Sequence, residues 1–391
     1  VSSAPTTSAF LAAAGLGLAA WSLAGLPEPG LAGPQAAVFL DGPPEYGWRL
    51  PPGFPVPRVP ADNPMSAAKV ELGRHLFYDR RLSASGTAAC ASCHRQKLAF
   101  TDGLPRALGA TGELHPRSSM SLANVAYNRS FAWADPTLES LEHQAAVPMF
   151  NRDPVELGVE GSGEAMARRL GLDRRYEAMF AAAFPEEEAA ARIRLETVIR
   201  ALTAFERTLI SGESAYDRWV YRDERSAMSE EARRGMRLFF SERLGCSECH
   251  GGFTFSGPVT YRGAPEIGPA FHNTGLYNLG DEGLYPRPNQ GLASFTGKPA
   301  DMGRFRAPTL RNVALTAPYM HDGSIATLGE VVDHYAAGGR SGDNPHKSPL
   351  IHGFRQTAGE KRDLVAFLES LTDRSFVTDP RFADPFAAAG G

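Results

Sequence analysis

Two pentapeptides constrain this chain more than any other feature: Cys90-Ala91-Ser92-Cys93-His94 and Cys246-Ser247-Glu248-Cys249-His250. They hold all four cysteines of the 391 residues, so nothing is left for a disulfide. Each is a C-x-x-C-H, the attachment signature of a c-type haem. Two thiols on one helical turn can each form a thioether with a haem vinyl group, and the next residue turns its imidazole to the iron. A zinc ribbon would place its second cysteine pair roughly 15–20 residues away, whereas these pairs lie far apart in the chain. A redox dithiol needs a βαβ setting, and no strand pattern surrounds either motif. One such motif can arise by chance; two that use every cysteine point to two covalently attached haems c.

The length suggests two to three domains. A hydrophobic content of 43% and a charged content of 21% fit a globular protein with a sizeable core. A net charge of −4 leaves no basic footprint for nucleic acid or anionic membranes. The apolar run from Ala9 to Ala24 is short for a membrane span. Residues 1–25 read as the remnant of a signal peptide, although they lack a basic n-region and begin at Val1. Attachment of haem to C-x-x-C-H is an extracytoplasmic process, so a periplasmic location without a transmembrane anchor in the mature chain is expected. Residues 26–64, with Leu50-Pro51-Pro52-Gly53-Phe54-Pro55, read as a Pro/Gly-rich arm, folded structure beginning near Asn63-Pro64.

The surroundings of the two motifs repeat. Helices are expected over Ser66–Phe77 and Ser229–Phe240, each followed by a loop into its C-x-x-C-H, and both carry G-x-x-L-F, at Gly73 and at Gly235. Downstream, Arg117, Leu122, Asn124, Val125 and Ala126 recur as Arg306, Leu310, Asn312, Val313 and Ala314. Nine residues past each Asn stand Trp133 and His321, and then Thr137-Leu138 and Thr327-Leu328 open a helix, the first capped by Asp135 with Pro136 at its start. An apolar stripe of Leu195, Val198, Ile199, Leu202, Phe205 and Leu209 runs to Gly212, and Leu364, Phe367, Leu368 and Leu371 mark a final helix. No segment alternates with period two. The expected fold is therefore mainly α: two c-type-cytochrome-like helical domains, 65–224 and 225–375, each with one covalent haem, related by duplication, then a tail over 376–391.

The copies differ where it matters. Aligning Thr137-Leu138 on Thr327-Leu328 puts Gln144-Ala145 opposite His334-Tyr335. Tyr335 shares a helix face with Leu328, Val331 and Val332, so it is either a ligand of the second iron or a core tyrosine, while the first copy offers only a methyl group. A six-coordinate haem holds electrons, whereas an iron with an open position can bind peroxide.

These residues resemble the bacterial dihaem cytochrome c peroxidase and MauG superfamily from about Trp48 to Leu371. The markers are the two C-x-x-C-H motifs, Phe100-Thr-Asp-Gly103, Ala307-Pro-Thr-Leu-Arg-Asn312 and Thr316-Ala-Pro-Tyr-Met-His321-Asp-Gly323. The stretches Met120-Ser-Leu-Ala-Asn-Val-Ala-Tyr-Asn128, Asn273-Thr-Gly-Leu-Tyr-Asn278 and Asp301-Met-Gly-Arg-Phe-Arg306 are similar to the methanobactin-associated, MbnH-like branch.

The resemblance implies roles. His94 would be the proximal ligand of a peroxide-reactive haem, with Gln144, Glu156 and Pro148 in its distal pocket. His250 would be proximal at an electron-transfer haem closed by Tyr335. Trp133 would lie between the haems and couple them. Glu156 could move the proton that O–O cleavage needs, whereas Gln144 can only orient by hydrogen bonding. Read without the resemblance, Glu156 is a solvated loop acid and Trp133 a core aromatic. The loop Gly109-Ala-Thr-Gly112 lacks a histidine that caps the peroxidatic iron in some relatives, so a permanently open site is expected. A Ca2+ site is implied at Thr316, Pro318 and Ser118, with Ser118 standing where Asn is usual.

The function implied is use of H2O2 to reach a bis-Fe(IV) state. That state would oxidise a tryptophan to kynurenine, by long-range electron transfer, on a copper-binding MbnP-like partner. One alternative is a peroxidase drawing electrons from a small cytochrome or cupredoxin; a third reading is a dihaem electron carrier.

Overall fold

The computed structural model describes residues 46–161, 163–340 and 343–387. The expected signal remnant and the arm up to residue 45 lie outside the described residues. Helices dominate: α1 Ala67–Tyr78, α2 Cys90–Cys93, α3 Leu141–Phe150, α4 Glu164–Gly171, α5 Arg174–Ala183 and α6 Leu195–Glu206 in the first half, then α7 Ala215–Tyr221, α8 Glu230–Phe239, α9 Cys246–Cys249, α10 Ala293–Thr296, α11 Leu328–Ala336 and α12 Ala358–Ser370. Among the described residues one antiparallel pair, β1 Phe271–Asn273 and β2 Arg304–Arg306, joins His272 to Phe305 in register.

Each half is built on a helix crossing that glycine permits. A Cβ at Gly73 of α1 would stand 1.9 Å from the Ala201 carbonyl oxygen of α6, and one at Gly235 of α8 would stand 1.8 Å from the Asp363 carbonyl oxygen of α12. The backbones therefore meet where the G-x-x-L-F segments run. Ser66 and Ser229 cap α1 and α8, accepting from the backbone N–H of Lys69 and Ala232.

Two asparagines are placed alike. Asn124 and Asn312 both take left-handed backbone, at φ 60° and 62°, a conformation Asn tolerates better than most residues. Asn124 donates its N–H to Leu209 O and accepts from the Ser211 N–H; Asn312 donates to Leu371 O and accepts from the Asp373 N–H.

Three buried clusters make the core. The first gathers Leu72, Leu76, Phe77, Phe100, Phe180, Val198 and Phe205; the second Phe239, Phe255, Val332, Leu364 and Phe367; the third Leu276, Tyr285, Met302 and Phe305, with Trp133 and Tyr277 at its margin. Arg311, fully buried, forms a two-pronged ion pair with Asp217 at 2.7 and 2.9 Å and lies over the Phe54 ring.

Four sequence expectations change here. The helix expected at Thr137 begins at Leu141: the Asp135 carboxylate caps a turn by accepting from Thr137, and Ser140 is the true N-cap, accepting from the His143 N–H. The helix carrying the 195–209 stripe ends at Glu206, because the chain tightens there through Thr208 N–H to Phe205 O and Leu209 N–H to Glu206 O. Packing also starts before Asn63, since Phe54 is buried against Tyr127 and Phe253. Finally, the segment expected as a tail buries Phe376 and Phe382 in the first core, against Phe100 and Phe205. An apolar ring that close to a core gains more from burial than from water.

Candidate active site

The C-x-x-C of each motif forms a single helical turn, closed by His94 N–H to Cys90 O at 3.0 Å and His250 N–H to Cys246 O at 3.1 Å. The histidine then leaves the helix. His94 Nδ1 contacts the Phe100 carbonyl at 2.8 Å, and His250 Nδ1 contacts the Phe255 carbonyl at 3.3 Å. A carbonyl can only accept, so Nδ1 carries the proton and the Nε2 lone pair is left for a metal. Both phenylalanines hold left-handed backbone, at φ 62° and 51°, with fully buried rings. That strain aims each carbonyl back at its histidine. Burial lowers the His94 pKa and pushes His250 down to about 4, so both imidazoles are neutral, the form that ligates.

None of the four cysteines pairs as a disulfide. Burial pushes the Cys93, Cys246 and Cys249 thiols up to about 11 and raises Cys90 as well. Thiols held protonated in apolar surroundings are poor redox or metal groups.

A large, mostly apolar cavity brings together Cys246, Cys249, His250, Tyr335, Trp133 and His321. Tyr335 sits on α11, whose N-terminus is fixed by a capping box: Thr327 Oγ1 accepts from the Glu330 N–H, and Glu330 Oε2 accepts from the Thr327 N–H. Burial first, and then Cys249 and Cys246, raise the pKa of the Tyr335 phenol, so it stays neutral unless a cation meets its oxygen. Two polar atoms in the cavity wall, Arg306 Nε and His321 Nε2, are buried without a protein partner. With no anion beside it, burial alone lowers the Arg306 guanidinium to about 10. A cavity with two thiols, a neutral imidazole, a phenol and a guanidinium with no anion beside it fits a covalently attached haem, which would bring carboxylates of its own.

Trp133 is held from both sides: its Nε1–H donates to the Ser118 carbonyl at 2.9 Å, and its own carbonyl accepts from the Arg306 N–H at 2.8 Å. Its indole meets the His321 ring edge-on, 6.5 Å between centroids. Thr316, Pro318 and Ser118 line the same cavity. The Ser118 hydroxyl donates to the Met320 carbonyl at 3.2 Å. Among the described residues, no group of three or more His, Cys, Asp or Glu stands ready for a metal ion.

Cys90, Cys93, His94, Gln144, Pro148 and Glu156 do not line that cavity. Glu156 acts electrostatically on both Cys93 and His94, which puts it beside the first motif; Gln144 stands on α3, and its helical position alone shows no contact with that motif. Counted from the N-caps Ser140 and Thr327, Pro148 and Tyr335 stand at the same step, eight residues on. The alignment that set Ala145 against Tyr335 is therefore corrected: Pro148 takes that place. Pro148 has no N–H, which removes the helical bond to the Gln144 carbonyl. Its own carbonyl accepts from the Leu157 N–H at 2.9 Å, tying α3 to the loop that carries Glu156.

The Glu156 loop is clamped from the 107–115 segment. Ala110 N–H donates to the Glu156 carbonyl at 2.8 Å, and Val155 N–H donates to Glu113 Oε2 at 2.9 Å. The Glu156 carboxylate accepts from Asn151 Nδ2 at 3.1 Å, and His115 Nε2 lies 3.9 Å from Glu156 Oε1. The sequence left His115, Arg306, Phe100 and Phe255 without a site role. The two phenylalanines follow their motif histidines by about the same short interval, a signal the sequence did carry, whereas His115 and Arg306 lie far along the chain from either motif and no spacing marks them.

Comparison with known proteins follows this geometry. Residues 67–225 match the family described as di-haem cytochrome c peroxidase. The chain is 38% identical over 352 residues to cytochrome-c peroxidase IdrP1 of Denitromonas iodatirespirans, covering 86% of this chain and 89% of that protein. It is 36% identical to methylamine utilization protein MauG of Methylorubrum extorquens, covering 83% of each. The crystal structure of a MauG-like protein associated with microbial copper homeostasis superposes with a TM-score of 0.83 at 46% identity, over 87% of this chain and 99% of that one. The motifs, the mostly helical fold and these likenesses place the chain among the dihaem oxidoreductases of the cytochrome c peroxidase and MauG family.

Proposed function

We propose that this protein is a periplasmic, peroxide-driven enzyme whose two haem sites are unequal. Its substrate is a tryptophan on a secreted, copper-binding partner protein of the MbnP-like kind, which it oxidises to kynurenine by long-range electron transfer. The observation that carries the reading is the contrast at one helical step. Tyr335 stands in the cavity of the second motif, while Pro148, which has no ligating atom on its side chain, stands at the same step near the first. Likeness to a protein associated with microbial copper homeostasis supports the choice of partner.

In this reading Cys90, Cys93 and His94 hold one haem, and Cys246, Cys249, His250 and Tyr335 hold the other. When bound, the haems supply the iron at which peroxide is reduced and the store for its oxidising equivalents. The protein's own groups do the rest. The Glu156 carboxylate carries a proton from one peroxide oxygen to the other, and Gln144 orients the peroxide. Trp133, fixed by Ser118 and Arg306, couples the two sites. The repeated Gly crossings, left-handed Asn pair and left-handed Phe pair support two domains related by duplication. Ser118 Oγ with the Thr316 and Pro318 carbonyls offers Ca2+ three oxygens and no carboxylate, so we expect weak binding there.

A second reading has its own support, in the 38% identity to a cytochrome-c peroxidase: removal of peroxide with electrons from a small redox protein. Adding H2O2 to the diferric holoprotein separates the two. A near-infrared charge-resonance band with a long lifetime, together with tryptophan oxidation in the partner by mass spectrometry, is the expected outcome. Rapid oxidation of reduced cytochrome c with no such band would establish the second reading instead.

A further inference from the structure

A run of aromatic rings leads from Trp133 through the wall of the second motif's cavity to Tyr277. His321, which the indole meets edge-on, is buried and stacks flat on Phe305, 3.7 Å between centroids at 12°. Tyr285 lies 6.3 Å from His321 and 6.2 Å from Phe305, and Tyr277 lies 5.4 Å from Tyr285. Tyr285 is buried and Tyr277 half-buried, so the run ends near the surface. Electron transfer slows steeply with the gap to be crossed, and here every gap is one ring contact.

The two phenols differ in where their proton can go. Tyr285 Oη donates to Asn273 Oδ1 at 2.7 Å and accepts from the Leu276 N–H at 3.0 Å. An amide oxygen is too weak a base to take a proton. Tyr277 Oη donates to Asp322 Oδ2 at 2.5 Å. That carboxylate also accepts from the Ser324 N–H, and although burial works against it, the hydrogen bonds from Tyr277 and Ser324 hold its pKa low, so it rests ionised. A phenol that loses an electron becomes strongly acidic. An oxidising equivalent therefore passes Tyr285 and settles where a base waits.

We infer that Tyr277, with Asp322 as its proton acceptor, is a redox-active site at the end of a branch running from Trp133 through His321, Phe305 and Tyr285. The inference rests on the proposed coupling of the haems through Trp133. Hydrogen peroxide is the oxidant and takes two electrons as it is reduced to water. One of them comes from the Tyr277 ring. The Tyr277 O–H bond breaks, its proton moves to Asp322 Oδ2, and a neutral phenoxyl radical stays on Tyr277; the second oxidising equivalent remains with the haem pair.

The test is electron paramagnetic resonance on the haem-loaded protein, frozen at intervals after H2O2 is added without a reductant. Wild type should give, as the near-infrared band slowly decays, a tyrosyl radical whose hyperfine pattern narrows when ring-deuterated tyrosine is incorporated. The signal should be lost in Tyr277→Phe and in Asp322→Asn, while the near-infrared band still forms. A nitroso spin trap on the wild-type protein should mark the peptide holding Tyr277, a readout that needs no variant to fold. A tyrosyl signal that persists in Tyr277→Phe, or a near-infrared band with no tyrosyl signal in wild type, overturns the inference alone. Absence of both band and radical removes the haem coupling and the branch with it.

Discussion

Glu206 is an exceptional acid among the described residues. It closes α6 fully buried, one carboxylate oxygen has no partner, and burial pushes its pKa up to about 8 despite Arg207 beside it. The folded state thus holds a proton that the unfolded chain has already released. Its contribution is fully present below pH 4.5 and is lost as pH rises towards 8. His334 has the opposite sign: burial pushes it down to about 4, so its contribution is present above pH 6.5 and is lost as pH falls to 4. In Glu206→Gln the alkaline loss should disappear. Chemical denaturation at about pH 5 and about pH 8 should show the variant gaining on wild type at the higher pH; an equal difference at both values would mean that Glu206 is ionised in the fold. Residues of this kind were not legible in the sequence. Glu206 stands within the 195–209 stretch, and nothing in that pattern says that the fold buries a carboxylate there. The same holds for His115 beside Glu156, brought there by the 107–115 loop. The cysteines and histidines of the two C-x-x-C-H motifs were legible because their pattern is local, packed into one helical turn.

At the scale of elements, the two helix crossings carry the halves. Gly73 and Gly235 sit where backbone touches backbone, with 1.9 and 1.8 Å left for a Cβ. Gly73→Ala must part α1 from α6, and Gly235→Ala must part α8 from α12, each at a cost of about 1–3 kcal/mol or more. Thermal unfolding of the holoprotein should show a clear fall in midpoint for both, against no comparable loss for alanine at the exposed Gly268, where a Cβ meets nothing. An unchanged midpoint at Gly73→Ala would mean that the helices are not in contact there. Starts of helices were largely readable, since Ser66, Ser229 and Thr327 announce themselves as caps. The start of α3 was not. Asp135-Pro136 has the composition of a cap and first turn, but Asp135 accepts from Thr137 and closes a turn of its own, handing the cap to Ser140. That three-residue shift moved the register and brought Pro148, rather than Ala145, opposite Tyr335.

Taken whole, the molecule sets matching local features around its two C-x-x-C-H motifs and differs in what stands beside each. Paired histidines, paired left-handed phenylalanines and paired asparagines set the two motifs alike. Against that likeness stand Tyr335 on one side and Pro148 with Glu156 on the other, and Trp133 beside His321 in the cavity wall. The mostly helical fold could be read from the sequence through spacing and caps. The packing of Phe54, Phe376 and Phe382 could not, because segments without helical period leave no pattern to say what they cover.

The central claim is that the haem sites are unequal because of Tyr335. Electron paramagnetic resonance of the resting diferric holoprotein tests it most directly, with wild type compared against Tyr335→His. The expected result is one high-spin and one low-spin haem in wild type, with only the low-spin signal shifted in the variant. Two low-spin haems in wild type, or a low-spin signal indifferent to Tyr335→His, would contradict it.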